Sequence, residues 1–350
     1  MSTTATDSAT RLKLLIPGLL GTESGIMRSN AALRSSLSSL ETVLSRSNRL
    51  GNTRADFETL AFELFNLEVD ASKDLPVAAV TRVLDMGVVD SGWWLRADPV
   101  HLRPDRDRLL LADDALLQLT QAEADQLAAE LIEAYATDGW ILKAARPDRW
   151  YLKPPAIPQI RTAPLPSVVG RNVHDYLPQG DDSKAWCTIL NEIQILLHTA
   201  RINVDREQRG ALPINSLWFW GGGKLPEPQR VSWDRVWTDE PVSLALARLS
   251  QTSTAPVPAS AEEWLSGASG GEHLVILAGM RPSAQYGDVD GWRELAQELE
   301  EQWMTPLLSA LKQGRVQDIT LYTEFAPGFT INSKHSRRWW RRRRPLASYR

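Results

Sequence analysis

The chain has 350 residues, of which 43% are hydrophobic and 23% are charged, with 21 Gly and 21 Pro. This balance excludes a disordered, collagen-like or coiled-coil protein and predicts a globular one with one large domain or two. Tryptophan is unusually common, with 14 Trp against 6 Tyr and 6 Phe.

The charge is unevenly distributed along the chain. The formal net charge is −4, yet residues 334–350 contain eight Lys/Arg and no Asp/Glu. The preceding residues carry 31 Lys/Arg against 43 Asp/Glu, which is a net charge of −12. The sequence therefore predicts an acidic body that ends in a basic Trp/Arg tail at 334–350.

Three features bear on where the protein is located. Cys187 is the single cysteine and cannot form an internal disulfide, which is typical of a reducing compartment. The short apolar run at 12–20 is interrupted by Pro17 and Gly18 and is followed by no clear cleavage site, which disfavours a signal peptide. No apolar run approaches the ~20 residues that cross a bilayer. We expect a cytoplasmic protein with no membrane contact.

The N-terminal part predicts alternating strands and helices. A buried strand at 12–16 is stopped by Pro17 and Gly18. Apolar residues at helical spacing follow at 30–44, 54–67 and 77–84, and strands are expected at 93–102 and 109–111. We assign residues 1–110 to the N-terminal part of an α/β core.

The clearest predicted helix begins at Thr120, which forms a capping box with Glu123 and precedes an Ala-rich amphipathic sequence to about residue 136. Two short strands are expected at 140–144 and 149–152. This group predicts a small α+β insertion at 111–160. A proline-rich connector leads out of it.

The C-terminal part of the core is assigned to 161–333. Helices are expected at 182–200, 242–249 and 291–312, and strands at 214–220, 273–278, 318–325 and 328–332. Residues 251–271, rich in Ser, Thr, Ala, Pro and Gly, predict a linker. Because strands alternate with helices at both ends of the chain, the sequence predicts an α/β sheet that carries an insertion.

The sharpest local feature is the run of three glycines and Lys224 after the strand predicted at 214–220. Consecutive glycines let backbone N–H groups approach an anion, and a lysine adds positive charge. Leu225 follows where a Walker phosphate loop needs Ser or Thr, which excludes that loop. A generic anion site and a tight turn at a sheet edge both remain open.

Other polar residues could complete such an anion site. His174 and Asp175 form the only adjacent His/Asp pair, in which a ligand, a general acid or a plain turn is possible. Arg206 could bind a phosphate or carboxylate, or lie on a solvated loop. No two histidines have a metal-binding His-x-x-x-His spacing. The predicted ligand-binding residues are His174, Asp175, Asn203, Arg206, Asn215, Trp218, Gly221, Gly222, Gly223 and Lys224.

Several segments together resemble a known family. The Thr120–Glu123 capping box and the segments VGRNVHD (169–175), INVDR (202–206) and PINSLWFWGGG (213–223) are similar to the archaeal-type, cofactor-independent phosphoglycerate mutases of the alkaline phosphatase superfamily. The whole chain, with its terminal WWRRRRPL (339–346), also resembles the RpfE-type regulatory proteins of proteobacteria. The resemblance implies an alkaline-phosphatase-like, mostly parallel sheet flanked by helices.

The chain departs from that family at its catalytic positions. Active members bind two metals with Asp and His ligands and pass a phosphate through Ser or Thr. Where an Asp normally ends the first strand, this chain has Ile16, Pro17 and Gly18, and the late strand runs into Gly279-Met280-Arg281 instead of an Asp-His pair. Without these ligands, two-metal phosphoryl chemistry loses its basis. We therefore predict no catalytic residues, no metal ligands and no cofactor.

The sequence leaves three functions open. The first is a regulatory, non-catalytic protein that binds a small anionic ligand or an acidic partner. The second is a metal-dependent phosphoglycerate mutase or phosphatase with rearranged ligands, which would use Mn or Zn. The third is nucleic-acid binding through the tail. The predicted partner-binding residues are Trp339, Trp340, Arg341, Arg342, Arg343 and Arg344.

Overall fold

The computed structural model of the protein describes residues 9–21, 37–51, 55–87, 90–268 and 270–349. The chain forms two compact units, of which the first comprises 1–66 with 229–350 and the second comprises 67–228. Among the described residues, no helix is both long enough and apolar enough to span a membrane.

The strands are, in chain order, β1 (Arg11–Leu15), β2 (Asn48–Leu50), β3 (Trp93–Asp105), β4 (Arg108–Ala112), β5 (Ile141–Arg146), β6 (Arg149–Lys153), β7 (Ser216–Lys224), β8 (Arg235–Trp237), β9 (Thr254–Ala255), β10 (Glu272–Ile276), β11 (Asp318–Tyr322) and β12 (Gly328–Asn332).

The helices are α1 (Ser38–Arg46), α2 (Phe57–Leu64), α3 (Val77–Met86), α4 (Asp114–Leu117), α5 (Gln121–Ala134), α6 (Leu165–Val168), α7 (Ser183–Thr199), α8 (Arg201–Gln208), α9 (Pro241–Leu249), α10 (Ala261–Gly267), α11 (Arg281–Tyr286), α12 (Val289–Glu298), α13 (Thr305–Gln313) and α14 (Ser333–Ser336). A π-helical segment, Leu299–Met304, joins α12 to α13.

The first unit is built on a seven-stranded sheet in the order β2-β12-β11-β1-β10-β8-β9. The strands from β11 to β9 in this order are parallel, and only β12 and β2 run antiparallel to their neighbours. Leu12 and Leu14 of β1 share a core with Trp292 of α12 and Leu307 of α13. The predicted α/β class, with a mostly parallel sheet flanked by helices, is confirmed.

The segment 251–271 is not a linker, and that prediction is wrong. It contains β9 and α10, and the hydroxyl of Ser260 caps the helix by accepting the N–H of Glu263 at 3.2 Å. Trp264 of α10 is fully buried in the core of the first unit. A single large side chain thus anchors a segment whose overall composition is that of a linker.

The second unit has an antiparallel sheet in the order β4-β3-β6-β5, and β7 also pairs with β3. The capping box at Thr120 is present, since the Thr120 hydroxyl accepts the N–H of Glu123 and the Glu123 carboxylate accepts that of Thr120. The insertion predicted at 111–160 differs from this unit, which extends from 67 to 228. The long strand β3 explains the difference. It pairs with β6, which lies within the predicted range, and also with β7, which lies outside that range.

The basic tail is folded onto the first unit. Leu346 and Tyr349 are buried in its core, where the ring of Tyr349 meets that of Phe329 edge to face. The carboxylate of Glu41 on α1 accepts the N–H of Leu346 and lies 3.3 Å from the guanidinium of Arg343. The apolar end of the tail and one buried acid therefore hold it in place.

Candidate functional site

The carboxyl ends of four parallel strands meet in the first unit. Leu15, the last residue of β1, is in register with Ile276 at the end of β10 and with Tyr322 at the end of β11. Trp237 ends β8 and pairs with Val275. Ligands of open α/β sheets bind outside the carboxyl ends of the strands. This edge is therefore the candidate site of the first unit.

The turn after β1 is fixed by the segments that follow the neighbouring strands. Gly18 has a φ of +78°, and a Cβ there would lie 2.9 Å from the carbonyl oxygen of Met280, so only glycine fits. The Gly18 N–H donates to Oε2 of Glu324 at 2.9 Å, and its carbonyl accepts the indole N–H of Trp292 at 2.9 Å. The turns after β1, β10 and β11 are thus bound together.

Arg281, Glu58 and Glu324 form an ion-pair group at this edge, which we call the Arg281 cluster; Glu58 is buried and the other two are partly buried. Nη2 of Arg281 donates to both carboxylate oxygens of Glu58, at 2.8 and 3.0 Å. Nε of Arg281 lies 3.6 Å from Oε1 of Glu324. The guanidinium also lies 4.6 Å from the ring centre of Phe57, a cation–π distance. The Glu58 side chain is only 1% exposed.

Burial and charge act against each other within the Arg281 cluster. Desolvation raises the pKa of Glu58 to about 7, although the neighbouring guanidinium opposes this. Burial acts to lower the pKa of Arg281, but the carboxylates of Glu58 and Glu324 outweigh it and hold the pKa above its usual value. Arg281 therefore stays charged, and the carboxyl groups of Glu58 and Glu324 face that charge.

A cavity of about 600 Å³ lies against the same turns, lined by Ile16 and by residues 276–280. Among the described residues that line it, the charged ones are Asp239, Glu240 and Glu298, all acidic. Glu240 caps α9, since its carboxylate accepts the N–H groups of Val242 and Ser243 at 2.9 and 2.7 Å. An acidic lining disfavours a phosphorylated ligand.

Comparison with known proteins relates the chain to one group of enzymes. It is 24% identical over 152 residues to a probable 2,3-bisphosphoglycerate-independent phosphoglycerate mutase of Geobacter sulfurreducens, which is 43% of this chain and 38% of that protein. It is 33% identical over 64 residues to the 2,3-bisphosphoglycerate-independent phosphoglycerate mutase of Methanosarcina acetivorans, 18% of this chain and 16% of that protein. The chain is homologous to these mutases.

The homology covers only part of each protein, since the matched segments span less than half the length of either relative. No protein-family model matches the chain. Among solved structures, the PH0037 protein from Pyrococcus horikoshii aligns with 93% of this chain and 88% of its own, with a TM-score of 0.53 and 13% identity. That likeness shows a shared fold.

The described residues at this edge do not fit the two metals that the resemblance to phosphoglycerate mutases implies. The turn after β1 presents Ile16, Pro17 and Gly18, which offer no side-chain ligand. The guanidinium of Arg281 already pairs with both nearby carboxylates. In the described part of the chain, no group of three or more His, Cys, Asp or Glu is placed to hold a metal ion.

Arg206 has a structural role in the second unit. It lies on α8, where the sequence allowed a solvated loop, and its side chain is 1% exposed. Nη1 donates to both carboxylate oxygens of Glu123 at 3.1 Å, and Nε donates to the carbonyl of Leu212 at 2.8 Å. Because Glu123 also belongs to the capping box, Arg206 joins α8 to the start of α5.

Asn203 and Asn215 likewise bind main-chain groups. The amide of Asn203 accepts the N–H of Ile214 at 2.8 Å and donates to the carbonyl of the same residue. The amide of Asn215 accepts the N–H of Leu102 at 2.7 Å and donates to its carbonyl at 2.9 Å. Both side chains stabilise the backbone beside β7 and β3.

The glycine run is part of a strand, so the alternative of a tight turn at a sheet edge is wrong. β7 continues through Lys224, and Gly223 pairs with Trp94 of β3. A Cβ at Gly222 would lie 2.5 Å from the ring of Trp93, and one at Gly223 would lie 2.5 Å from Cβ of Pro76. These glycines are explained by close packing, which the sequence alone could not distinguish from an anion cradle.

Three of the predicted ligand residues line one cavity of the second unit. Gly222, Gly223 and Lys224 border a space of about 840 Å³. Its other charged lining residues among those described are two basic and four acidic ones: Lys73, Arg161, Glu68, Asp70, Asp74 and Asp181. With this mixture of charges the cavity is not distinctly cationic, so the anion-binding role of these residues stays a prediction.

The remaining predicted ligand residues are dispersed. Trp218 is buried and its indole N–H donates to the carbonyl of Ala163 at 2.9 Å. Gly221 has a φ of +66° and packs against Val77. His174 and Asp175 are exposed on a 3₁₀ turn, Val173–Tyr176.

Of the predicted partner-binding residues, two aromatic ones are exposed. Trp339 and Trp340 are 79% and 64% exposed, and their rings meet edge to face with centroids 6.1 Å apart. Arg343 pairs with Glu41, and Arg341 donates to the carbonyl of Ser47 at 2.6 Å. Both arginines therefore help to dock the tail.

Sequence reasoning missed the Arg281 cluster as a unit. Arg281 belongs to the segment that stands in place of the Asp-His pair of the mutases, and this departure was a usable signal. Glu58 gave none, because a charged residue in a short amphipathic helix is normally assigned to its solvated face. Only the fold brings Glu58 and Glu324 to Arg281.

We predict that Gly222→Ala destabilises the protein by about 1–3 kcal/mol, because the added methyl group meets the ring of Trp93. The measurement is urea unfolding of the full chain. Gly279→Ala is the control, since a Cβ there has no atom within 4 Å among the described residues, and it should cost less than about 0.5 kcal/mol. Wild-type stability of Gly222→Ala would contradict the packing role.

We predict that Arg281→Met destabilises the first unit by about 3–5 kcal/mol at pH 8, because Glu58 is left buried without its cation. The loss should be smaller at pH 5, where Glu58 can be protonated, so the variant's stability should fall as the pH rises. The double variant Glu58→Gln with Arg281→Met should lose less than the single one. Equal losses at both pH values, measured by urea unfolding, would show that only packing is involved.

Proposed function

We propose that the protein is a non-catalytic, regulatory binding protein on a phosphoglycerate-mutase-like scaffold. The observation that carries this proposal is the Arg281 cluster. A guanidinium with its own two carboxylates lies at the strand ends, where the resemblance implies metal-ligating Asp and His side chains. In this proposal the guanidinium of Arg281 provides the positive charge that a catalytic metal would provide. It has no open coordination site at which a substrate could bind.

The ligand in this proposal is anionic, either a small molecule or an acidic protein surface. The distribution of charge supports this class, because the tail contributes eight Lys/Arg without any acidic residue. The acidic cavity at the strand ends does not suit such a ligand. The RpfE-type regulatory proteins, which the whole chain resembles, are the specific class that we propose for it.

The alternative is a metal-dependent phosphoglycerate mutase or phosphatase. Partial homology to phosphoglycerate mutases is its support. The alternative requires ligands other than those described at the strand ends, since Arg281 pairs there with Glu58 and Glu324. The two functions differ in a property that is directly measurable, namely whether turnover depends on a bound divalent metal.

We predict that the purified full chain contains less than one equivalent of Mn and Zn and does not convert 3-phosphoglycerate with or without added Mn²⁺. Metal analysis and a coupled mutase assay provide the two measurements. The Methanosarcina acetivorans mutase, assayed in parallel, is the positive control. Two tightly bound metal ions, together with turnover that a chelator abolishes, would refute the proposal and establish the metal-dependent enzyme.

A further inference from the structure

The docked tail, the end of α1 and β2 together line an open cavity of about 810 Å³. The tail is held there by contacts with the backbone and hydroxyl groups of α1 and the residues after it. The Arg344 N–H donates to the hydroxyl of Ser45 at 3.1 Å, and the hydroxyls of Ser45 and Tyr349 lie 2.7 Å apart. The part of the tail that lines the cavity is therefore docked on the first unit by specific hydrogen bonds.

Four arginines line this cavity, which we call the arginine cavity: Arg49, Arg341, Arg342 and Arg344. No acidic residue is among its described lining residues. Arg341 is partly used in docking, but no hydrogen bond or ion pair joins the guanidiniums of Arg49, Arg342 or Arg344 to any described residue. The nearby carboxylate of Glu41 is already bound by Arg343 and Leu346.

This excess of positive charge favours the binding of an anion. Arginines that line one space repel each other, and an anion that their guanidiniums can hydrogen-bond relieves the repulsion. A phosphate group, with three or more acceptor oxygens, matches the planar donor geometry of arginine. The charge alone, however, does not distinguish a phosphate from a carboxylate.

An aromatic surface lies beside these arginines. Trp340 lines the arginine cavity and is 64% exposed, and Trp339 next to it is 79% exposed. Tryptophan side chains are normally well buried. Exposed aromatic rings beside a basic surface are typical of proteins that stack nucleic-acid bases while neutralising the adjacent phosphates. A carboxylate has no base that could stack on these rings, so the exposed rings favour a nucleotide ligand.

We propose that the arginine cavity binds nucleotides, with the phosphate on Arg342 and Arg344 and the base stacked on Trp340. The nucleotide can come from a single-stranded nucleic acid or from a free nucleotide. This site is independent of the Arg281 cluster, so it stands whether or not the protein is catalytically silent.

The test measures fluorescence anisotropy of a labelled oligothymidylate of about 12 nucleotides with the full chain, at two salt concentrations. The wild type should bind, and more weakly at higher salt. Arg342→Glu with Arg344→Glu should weaken binding at least about tenfold, since both phosphate contacts become repulsive. Trp340→Ala should weaken it about fivefold or more, and Trp340→Phe should retain most of the affinity.

The matched control is Arg230→Glu with Arg248→Glu. Both residues are exposed in the first unit, and the pair changes the net charge by the same amount. Arg248 lies on α9, which packs beside β9 at the opposite edge of the sheet from β2. This control should bind within about twofold of the wild type, and circular dichroism should show that all variants are folded.

A second arm identifies the source of the nucleotide. If unlabelled ATP displaces the oligonucleotide at a concentration close to its own affinity for the protein, the natural ligand is a free nucleotide. If only oligonucleotides compete, it is a single-stranded nucleic acid. Either result supports the proposal.

Three results would overturn it. The first is the absence of binding by both probes at low salt. The second is an equal loss of affinity in the control pair. The third is competition by polyglutamate as effective as that by the oligonucleotide, with Trp340→Ala unaffected, which would assign the cavity to an acidic protein partner.

Discussion

The ion pair between the partly buried Arg281 and the buried Glu58 is the interaction on which the carboxyl edge of the parallel sheet depends. Removing two charges from water is costly, and the cost is offset only when the geometry is good and other polar groups are satisfied. Arg281 meets the first part of this condition through the two bonds from Nη2 to Glu58, whereas its Nε has only the 3.6 Å ion-pair contact with Glu324. Glu324 links the pair to the turn after β1 by accepting the N–H of Gly18. The chain's own charged side chains thus link the segments that follow β1, β10 and β11 to each other.

The basic tail is part of the folded first unit. Burial of Leu346 and Tyr349 provides the apolar part of the docking, and Glu41 provides a charged partner for Arg343. Burial raises the pKa of Glu41, whereas the bond from Leu346 and the charge of Arg343 act to lower it. The net charge of −4 therefore conceals a surface on which several arginines and two tryptophans remain open to a partner.

The fold could be predicted from sequence where the signal is local. The strand β1 and the helix α5 with its capping box follow from apolar periodicity and the Thr120–Glu123 pair. The roles of the predicted ligand residues could not be predicted in this way, because each role depends on contacts with residues that are distant in the sequence. Gly222 needs no side chain because Trp93 packs against it, and Arg206 is a structural residue because Glu123 faces it. Similarly, the linker composition of 251–271 gave no indication that Trp264 is fully buried.

If the Arg281 cluster replaces a metal centre, added metal should leave the stability of the protein unchanged, and thermal unfolding of the full chain in the presence of metal tests this most directly. A ligand at about 100 times its Kd stabilises the native state by about 2.7 kcal/mol. We expect the Tm of the first unit to be the same with Mn²⁺, with Zn²⁺ and with a chelator. A Tm that rises with either metal and falls with the chelator would contradict the claim.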